Sequence, residues 1–205
     1  MAKRQIVQLL ASGFDKPPYN YNMKSDEARK LMHEWVQSPA LRIHMECVAA
    51  CMGKYCTGDE RERDRWITVG LLHDFDYERH PTSEEHPFVG VDYLRKNTNI
   101  DEESMEAILG HAAYTGVTRN TSLAKTLFAV DELAGFIVAC ALVRPTGLEG
   151  MRAKSVKKKL KNKNFAAAVS REDINIGIQE LNIDIEEHIN TCIDAIQNSE
   201  IDIFI

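Results

Sequence analysis

The sequence shows no run of alternating polar and apolar residues and no internal repeat, so neither a β-sheet protein nor a repeat array is expected. Glycine and proline are scarce, 11 and 6 in 205 residues, and helix-forming residues dominate. The fold class these absences leave is all-α. Cys-x-x-Cys pairs are also missing, and an odd count of 5 cysteines does not suit a disulfide framework. The cysteines read as reduced, mostly buried thiols of a cytoplasmic protein. Cys47 and Cys51 are four apart on one helix face, within reach of a metal, but a core position suits them better.

Positive charge is not in excess. With 25 basic against 31 acidic residues the net charge is −6, which argues against general nucleic-acid binding, and no DNA partner is expected. An uninterrupted hydrophobic span is lacking too. The most apolar stretch, residues 123–143, contains Lys125, Asp131 and Glu132 and reads as a buried helix, so no membrane partner is expected. Near the N-terminus only residues 6–11 are apolar, which is short for a secretory signal.

What is present is enough apolar material, 44% of the chain, to bury one core. A single domain over residues 1–205 is expected, with its core at about 25–143 and a C-terminal helical extension at about 144–205. A short first helix leads to a loop through Gly13, Pro17, Pro18 and Asn20. Ser25 suits a helix cap, with the helix running to about Gln37, and His33 on it reads as a surface or half-buried residue. Ser38-Pro39 opens a second helix, whose inner stripe is Leu41, His44, Val48, Cys51 and Tyr55.

The central stretch is Leu71-Leu72-His73-Asp74-Phe75-Asp76, at the end of a helix that begins in the charged residues 59–65. His73 shares a face with Trp66, Val69 and Gly70, and Asp74 with Ile67 and Leu71, so both point inward. A buried carboxylate costs several kcal/mol unless a cation or hydrogen bonds compensate it. A polar loop follows over residues 76–87, with His80 within it and His86 held at the cap of a helix that Pro87 starts. His111 and Asp131 are further inward-facing polar residues on later helices. His44, His73, Asp74, His86, His111 and Asp131 together form a mixed imidazole–carboxylate set. Such a set suits divalent transition metals, two ions rather than one.

On these residues the chain resembles the HD superfamily of metal-dependent phosphohydrolases, over roughly residues 40–140. It is similar more narrowly to small HDIG-domain hydrolases. That likeness rests on His73-Asp74-Phe75-Asp76-Tyr77-Glu78, on Asp131-Glu132-Leu133-Ala134-Gly135 with Arg144-Pro145, and on Ser155-Val156-Lys157-Lys158-Lys159 with Phe165-Ala166. Phe75-Asp76 replaces the Ile-Gly of the HDIG name.

The resemblance implies a helical bundle with the metal site between core helices. It gives His44, His73, Asp74 and Asp131 to one ion, and Asp74, His86 and His111 to a second, with Asp74 bridging and central to catalysis. The ions would be Fe, Mn, Co, Ni, Zn or Mg, and the substrate a small phosphate ester or nucleotide. Two readings accompany this one: an HD-fold di-iron oxygenase and a non-catalytic nucleotide-binding module.

His80 suits either a general acid or an exposed loop residue, and Tyr77 and Glu78 are weaker candidates. The basic run Arg152, Lys154, Lys157, Lys158, Lys159, Lys161 and Lys163 is either a solvated helix face or, through Lys154, Lys157 and Lys158, a substrate phosphate site. The isoleucines from Ile174 to Ile196 read as packing, and His188 among them as a surface residue.

Overall fold

A computed structural model describes residues 23–204. The expected N-terminal helix and the loop through Gly13 and Asn20 lie outside them. The described residues form nine α-helices and no strand, which agrees with the all-α expectation. The helices are α1 (Ser25–Trp35), α2 (Pro39–Tyr55), α3 (Glu60–Leu72), α4 (Phe88–Asn97), α5 (Glu102–His111), α6 (Ser122–Leu142), α7 (Ala153–Leu160), α8 (Arg171–Leu181) and α9 (Ile185–Gln197). No helix among these residues is long and apolar enough to cross a membrane.

Most helix starts carry side-chain caps. Ser38 accepts from the Leu41 amide with Pro39 behind it, Asp59 from Glu62, Asp101 from Ser104 and Thr121 from Ala124. The first helix differs from expectation at both ends. Its cap position is Lys24, while the Ser25 hydroxyl is drawn away to donate to Asp64 on α3 at 2.5 Å. Its end is Trp35, because Val36 turns extended and the next two amides, Gln37 and Ser38, donate to the Glu78 carboxylate, both at 2.9 Å. Helix α4 begins one residue later than expected, with Pro87 at the cap position after a cis His86–Pro87 bond.

The long apolar α6 is the central strut, touching α2, α5, α8 and α9. Two glycines set how closely its surroundings approach. A Cβ on Gly70 of α3 would lie 2.6 Å from the Ala49 Cα of α2, and one on Gly177 of α8 would lie 2.6 Å from the Ala129 Cα of α6. One buried cluster runs from Ala28 through α6 to Val156, Ile174, Ile193 and Ile203. The C-terminal helices therefore share the core of the first six.

His188 corrects the surface assignment made from sequence. It is fully buried, with Nδ1 2.6 Å from the Tyr55 hydroxyl and Nε2 3.0 Å from the Ala129 carbonyl. It lies three residues after Ile185 and four before Cys192, on the inner face of α9, and it joins α2, α6 and α9 through one ring. Burial lowers its pKa, consistent with a neutral ring that donates from Nε2 and accepts from tyrosine.

The α6–α8 contact yields a stability test. Alanine normally favours a helix interior over glycine by about 1 kcal/mol, but at position 177 its methyl group meets backbone. Gly177→Ala should therefore destabilise the protein by about 1–3 kcal/mol in urea unfolding. An unchanged or raised midpoint would show that α8 does not pack on α6 this closely.

Candidate metal centre

The centre is assembled from helix ends and helix interiors. His73 is the residue that ends α3, Asp74 follows it, and His111 is the last residue of α5. The carbonyl-bearing ends of two helices thus converge there, and helix C-termini favour positive charge. His44 and Asp131 come from the middles of α2 and α6, and His86 from the segment before α4. The turn after Asp74 is pinned from outside. Arg79 donates to the carbonyls of Trp35 and Glu34 at the end of α1, and Glu78 holds the start of α2. Phe75, next to Asp74, is buried against Trp35 with ring centroids 4.9 Å apart.

The six donors meet in two groups around one carboxylate. Near Asp74 Oδ2, His44 Nε2 and His73 Nε2 stand 3.2 Å apart, and Asp131 Oδ1 is 3.0 Å from His44 and 3.4 Å from His73. Asp74 Oδ2 itself is 3.6 Å from His44 and 3.4 Å from His73. Near Asp74 Oδ1, His86 Nε2 and His111 Nε2 stand 3.2 Å apart, at 3.2 and 3.3 Å from that oxygen. Ligand atoms each about 2.1 Å from a shared ion lie roughly 3.0–3.4 Å apart. The second group matches that spacing, and so does the first except for the 3.6 Å between His44 and Asp74, with Asp74 common to the two.

The ring orientations support the same conclusion. His73 Nδ1 is 2.8 Å from the Gly70 carbonyl and His111 Nδ1 2.5 Å from the Ile108 carbonyl. A carbonyl only accepts, so these nitrogens carry the protons. His86 Nδ1 lies 2.8 Å from the Asp76 carboxylate, which also accepts from the Gly90 amide at 2.7 Å. When the rings are neutral, all three Nε2 lone pairs therefore point inward at other acceptors. Only a proton or a cation between them relieves that arrangement, and a carboxylate or carbonyl behind each ligating ring is the usual support of a metal-bound histidine.

The electrostatics agree. Burial works against charge throughout the centre. Even so, His73 and the hydrogen bonds from His111 and His86 hold Asp74 well below the usual carboxylate range, and His73 and His44 do the same for Asp131. Both are anionic at neutral pH. Burial opposes an imidazolium at His73 and His86, but Asp74 and Asp131 outweigh it at His73, and Asp74 and Asp76 raise His86 to about 9.

A cavity of about 430 Å³ opens over the centre, lined by His44, Asp74, His86, His111 and Asp131 together with Tyr77, Tyr114, Glu132 and Asp173. His73 is sealed beneath it. Tyr114 donates its hydroxyl to the His86 carbonyl at 3.0 Å, and Tyr77 packs edge-on against the His86 ring. Burial and the neighbouring Asp131 raise Glu132 to about 7.

Five candidates from the sequence are not brought to the cavity, Glu78 among them because its carboxylate accepts from the Gln37 and Ser38 amides. His80 lies outside its lining and sits 3.3 Å from Glu85 within its own loop. Lys154, Lys157 and Lys158 ride on α7, which buries Ala153 and Val156, so its charged face turns away from the core. Lys157 pairs with Glu186 of α9 at 2.6 Å. Conversely, Asp76, Tyr114, Glu132 and Asp173 were not singled out as site residues. For Asp76 a signal existed: a second acidic residue two positions after Asp74, in an apolar context, with Gly90 the one residue type that lets it sit against α4. A Cβ at Gly90 would lie 2.7 Å from the Asp76 carboxyl carbon.

Two measurements follow from this geometry. Asp76→Asn should weaken binding of one of two Mn²⁺ ions by about 10–100-fold in calorimetry, as loss of a supporting carboxylate does; equal affinity in both proteins would remove Asp76 from this role. Below about 9 the His86 ring carries a proton that a cation must displace. Loading at pH 7 should therefore release protons, and affinity should rise as pH increases towards 9, whereas a flat profile would contradict the assignment.

No family model, curated protein or solved structure matches this chain.

Proposed function

We propose that this protein is a metal-dependent phosphohydrolase of the HD type, acting on a small phosphate ester or nucleotide. The observation that carries the reading is the placement of the two Asp74 oxygens, one in each imidazole group, beneath an open cavity. Two divalent cations held there would supply hydroxide near neutral pH and offset phosphoryl charge.

The residues divide the remaining work. His44, His73 and Asp131 would hold one ion, His86 and His111 the other, with Asp74 shared. Asp76 and the carbonyls of Gly70 and Ile108 keep the ring nitrogens facing inward without reorganisation during the reaction. Tyr77 and Tyr114 flank the mouth, leaving an approach for an ester whose phosphoryl group reaches the centre. No side-chain nucleophile is required, and none of the lining residues is serine, cysteine or lysine among the described residues.

The deciding experiment is phosphate release from a panel of nucleotides, dinucleoside polyphosphates and sugar phosphates with Mn²⁺ or Fe²⁺. Activity should be present in the wild type and fall to the uncatalysed background in Asp74→Asn. Metal-loaded protein that releases no phosphate but consumes O₂ with reduced iron and a polyol or phosphonate would transfer the centre to oxygenase chemistry. Tight nucleotide binding without either reaction would make it a binding module.

A further inference from the structure

The cavity wall contains two carboxylates that the metal centre does not use. Glu132 follows Asp131 on α6, and Asp173 lies in the first turn of α8. They are tied together through one residue. Glu132 Oε2 accepts from the Ser170 amide at 3.0 Å, and the Ser170 hydroxyl accepts from the Asp173 amide at 3.1 Å. Among the described residues no hydrogen bond or ion pair engages the Asp173 carboxylate, and none engages the second oxygen of Glu132. Both side chains line the cavity, and among the described residues no lysine or arginine does.

Resting on the phosphohydrolase reading, we propose that Glu132 and Asp173 are specificity-determining residues. They select a singly phosphorylated ester whose alcohol half carries hydrogen-bond donors, hydroxyl or ammonium, and they reject nucleoside di- and triphosphates. An ionised carboxylate only accepts hydrogen bonds, so the groups that satisfy this wall are donors on the substrate. The charge balance points the same way. Two divalent ions would bring four positive charges, of which the Asp74 and Asp131 carboxylates formally cancel two, while Asp173 and Glu132 add further acidic character to the wall beside them. One phosphoryl group is taken up at the ions themselves. Each further phosphate would lie against acidic wall rather than cationic wall, and like charges in a partly buried site repel strongly.

The reaction is ester hydrolysis. Water adds to phosphorus, the P–O bond to the alcohol breaks, and the alcohol oxygen leaves with a proton, so the products are inorganic phosphate and a donor-bearing alcohol. The wall residues hold the alcohol half and take no part in bond making. They are expected to act mainly on KM.

The test compares wild type with Glu132→Gln and Asp173→Asn, singly and together, after confirming unchanged helix content and Mn²⁺ stoichiometry. Glutamine keeps an oxygen for the Ser170 amide. Phosphate release is measured with phosphoethanolamine, glycerol 3-phosphate, ethyl phosphate, AMP, ADP and ATP. Binding of 2-aminoethylphosphonate and ethylphosphonate, which differ only in the donor, is measured by calorimetry. In the wild type the donor-bearing monoesters should exceed both ethyl phosphate and ATP in kcat/KM by tenfold or more, and aminoethylphosphonate should bind at least about tenfold tighter than ethylphosphonate.

The double variant should lose most of both preferences, chiefly through KM. A wild type that prefers ATP or ADP to AMP overturns the proposal. So do preferences that the double variant leaves unmoved while its metal is fully bound. If no ester releases phosphate yet the phosphonate preference is present and disappears in the double variant, the recognition by Glu132 and Asp173 stands and the phosphohydrolase reading falls.

Discussion

One carboxylate governs the interior of this molecule. Asp74 is placed where four imidazoles and a second carboxylate converge, with each oxygen 3.2–3.6 Å from two histidine nitrogens. Removing an anion from water costs several kcal/mol, and an arrangement of this kind persists only if its partners return that energy. Neutral rings cannot return it by hydrogen bonding, because the backbone carbonyls and Asp76 then leave their acceptor nitrogens pointing inward. Positive charge is what the geometry asks for, whether protons or metal ions supply it.

The surrounding fold can be understood as the means of holding those donors still. Helix α3 delivers His73 and Asp74 at its end, and it can lie against α2, which carries His44, only because position 70 has no side chain. Arg65 on the same helix donates to both Asp101 oxygens, at 2.9 and 2.7 Å, and Asp101 caps α5. The start of the helix that presents His111 is thereby tied to the helix that presents His73. Gly90 performs the corresponding service for Asp76 and so for His86. The turn between Asp74 and His80 has little burial of its own at Tyr77, Glu78 and Arg79, yet Glu78 and Arg79 fasten it to α1 and α2. Mobility that would spread the donors is opposed at each element.

Much of this was legible in the sequence because it depends on local chemistry. Ser38-Pro39, Asp59 and Asp101 mark helix starts through groups a few residues away, and the helical period shows that His44, His73, His111 and Asp131 face inward. What was not legible depends on packing between distant segments. Ser25 looks like a cap and instead reaches Asp64, 39 residues away. His188 reads as surface because its partners, Tyr55 and Ala129, lie 133 and 59 residues off. The lysines of α7 resemble a phosphate site until the burial of Ala153 and Val156 fixes which way that helix turns. A pattern tells which face is apolar, but not which neighbour will cover it or how far a charged face stands from a cavity.

That distinction bears on the role of the C-terminal helices. Read by sequence they are a helical extension of the single domain, with isoleucines spaced for packing. In the structure Ala168, Val169 and Asp173 close one side of the cavity, and the Glu132–Ser170 hydrogen bond fixes them against α6. The six histidine and aspartate donors of the centre come from α2, α3, α5, α6 and the segment before α4, all before residue 144, whereas this side of the wall comes from beyond it. On the proposed reading, chemistry and selectivity fall to different stretches of chain. A change in α8 or in residues 161–170 can reshape what enters the site while every group around Asp74 keeps its place.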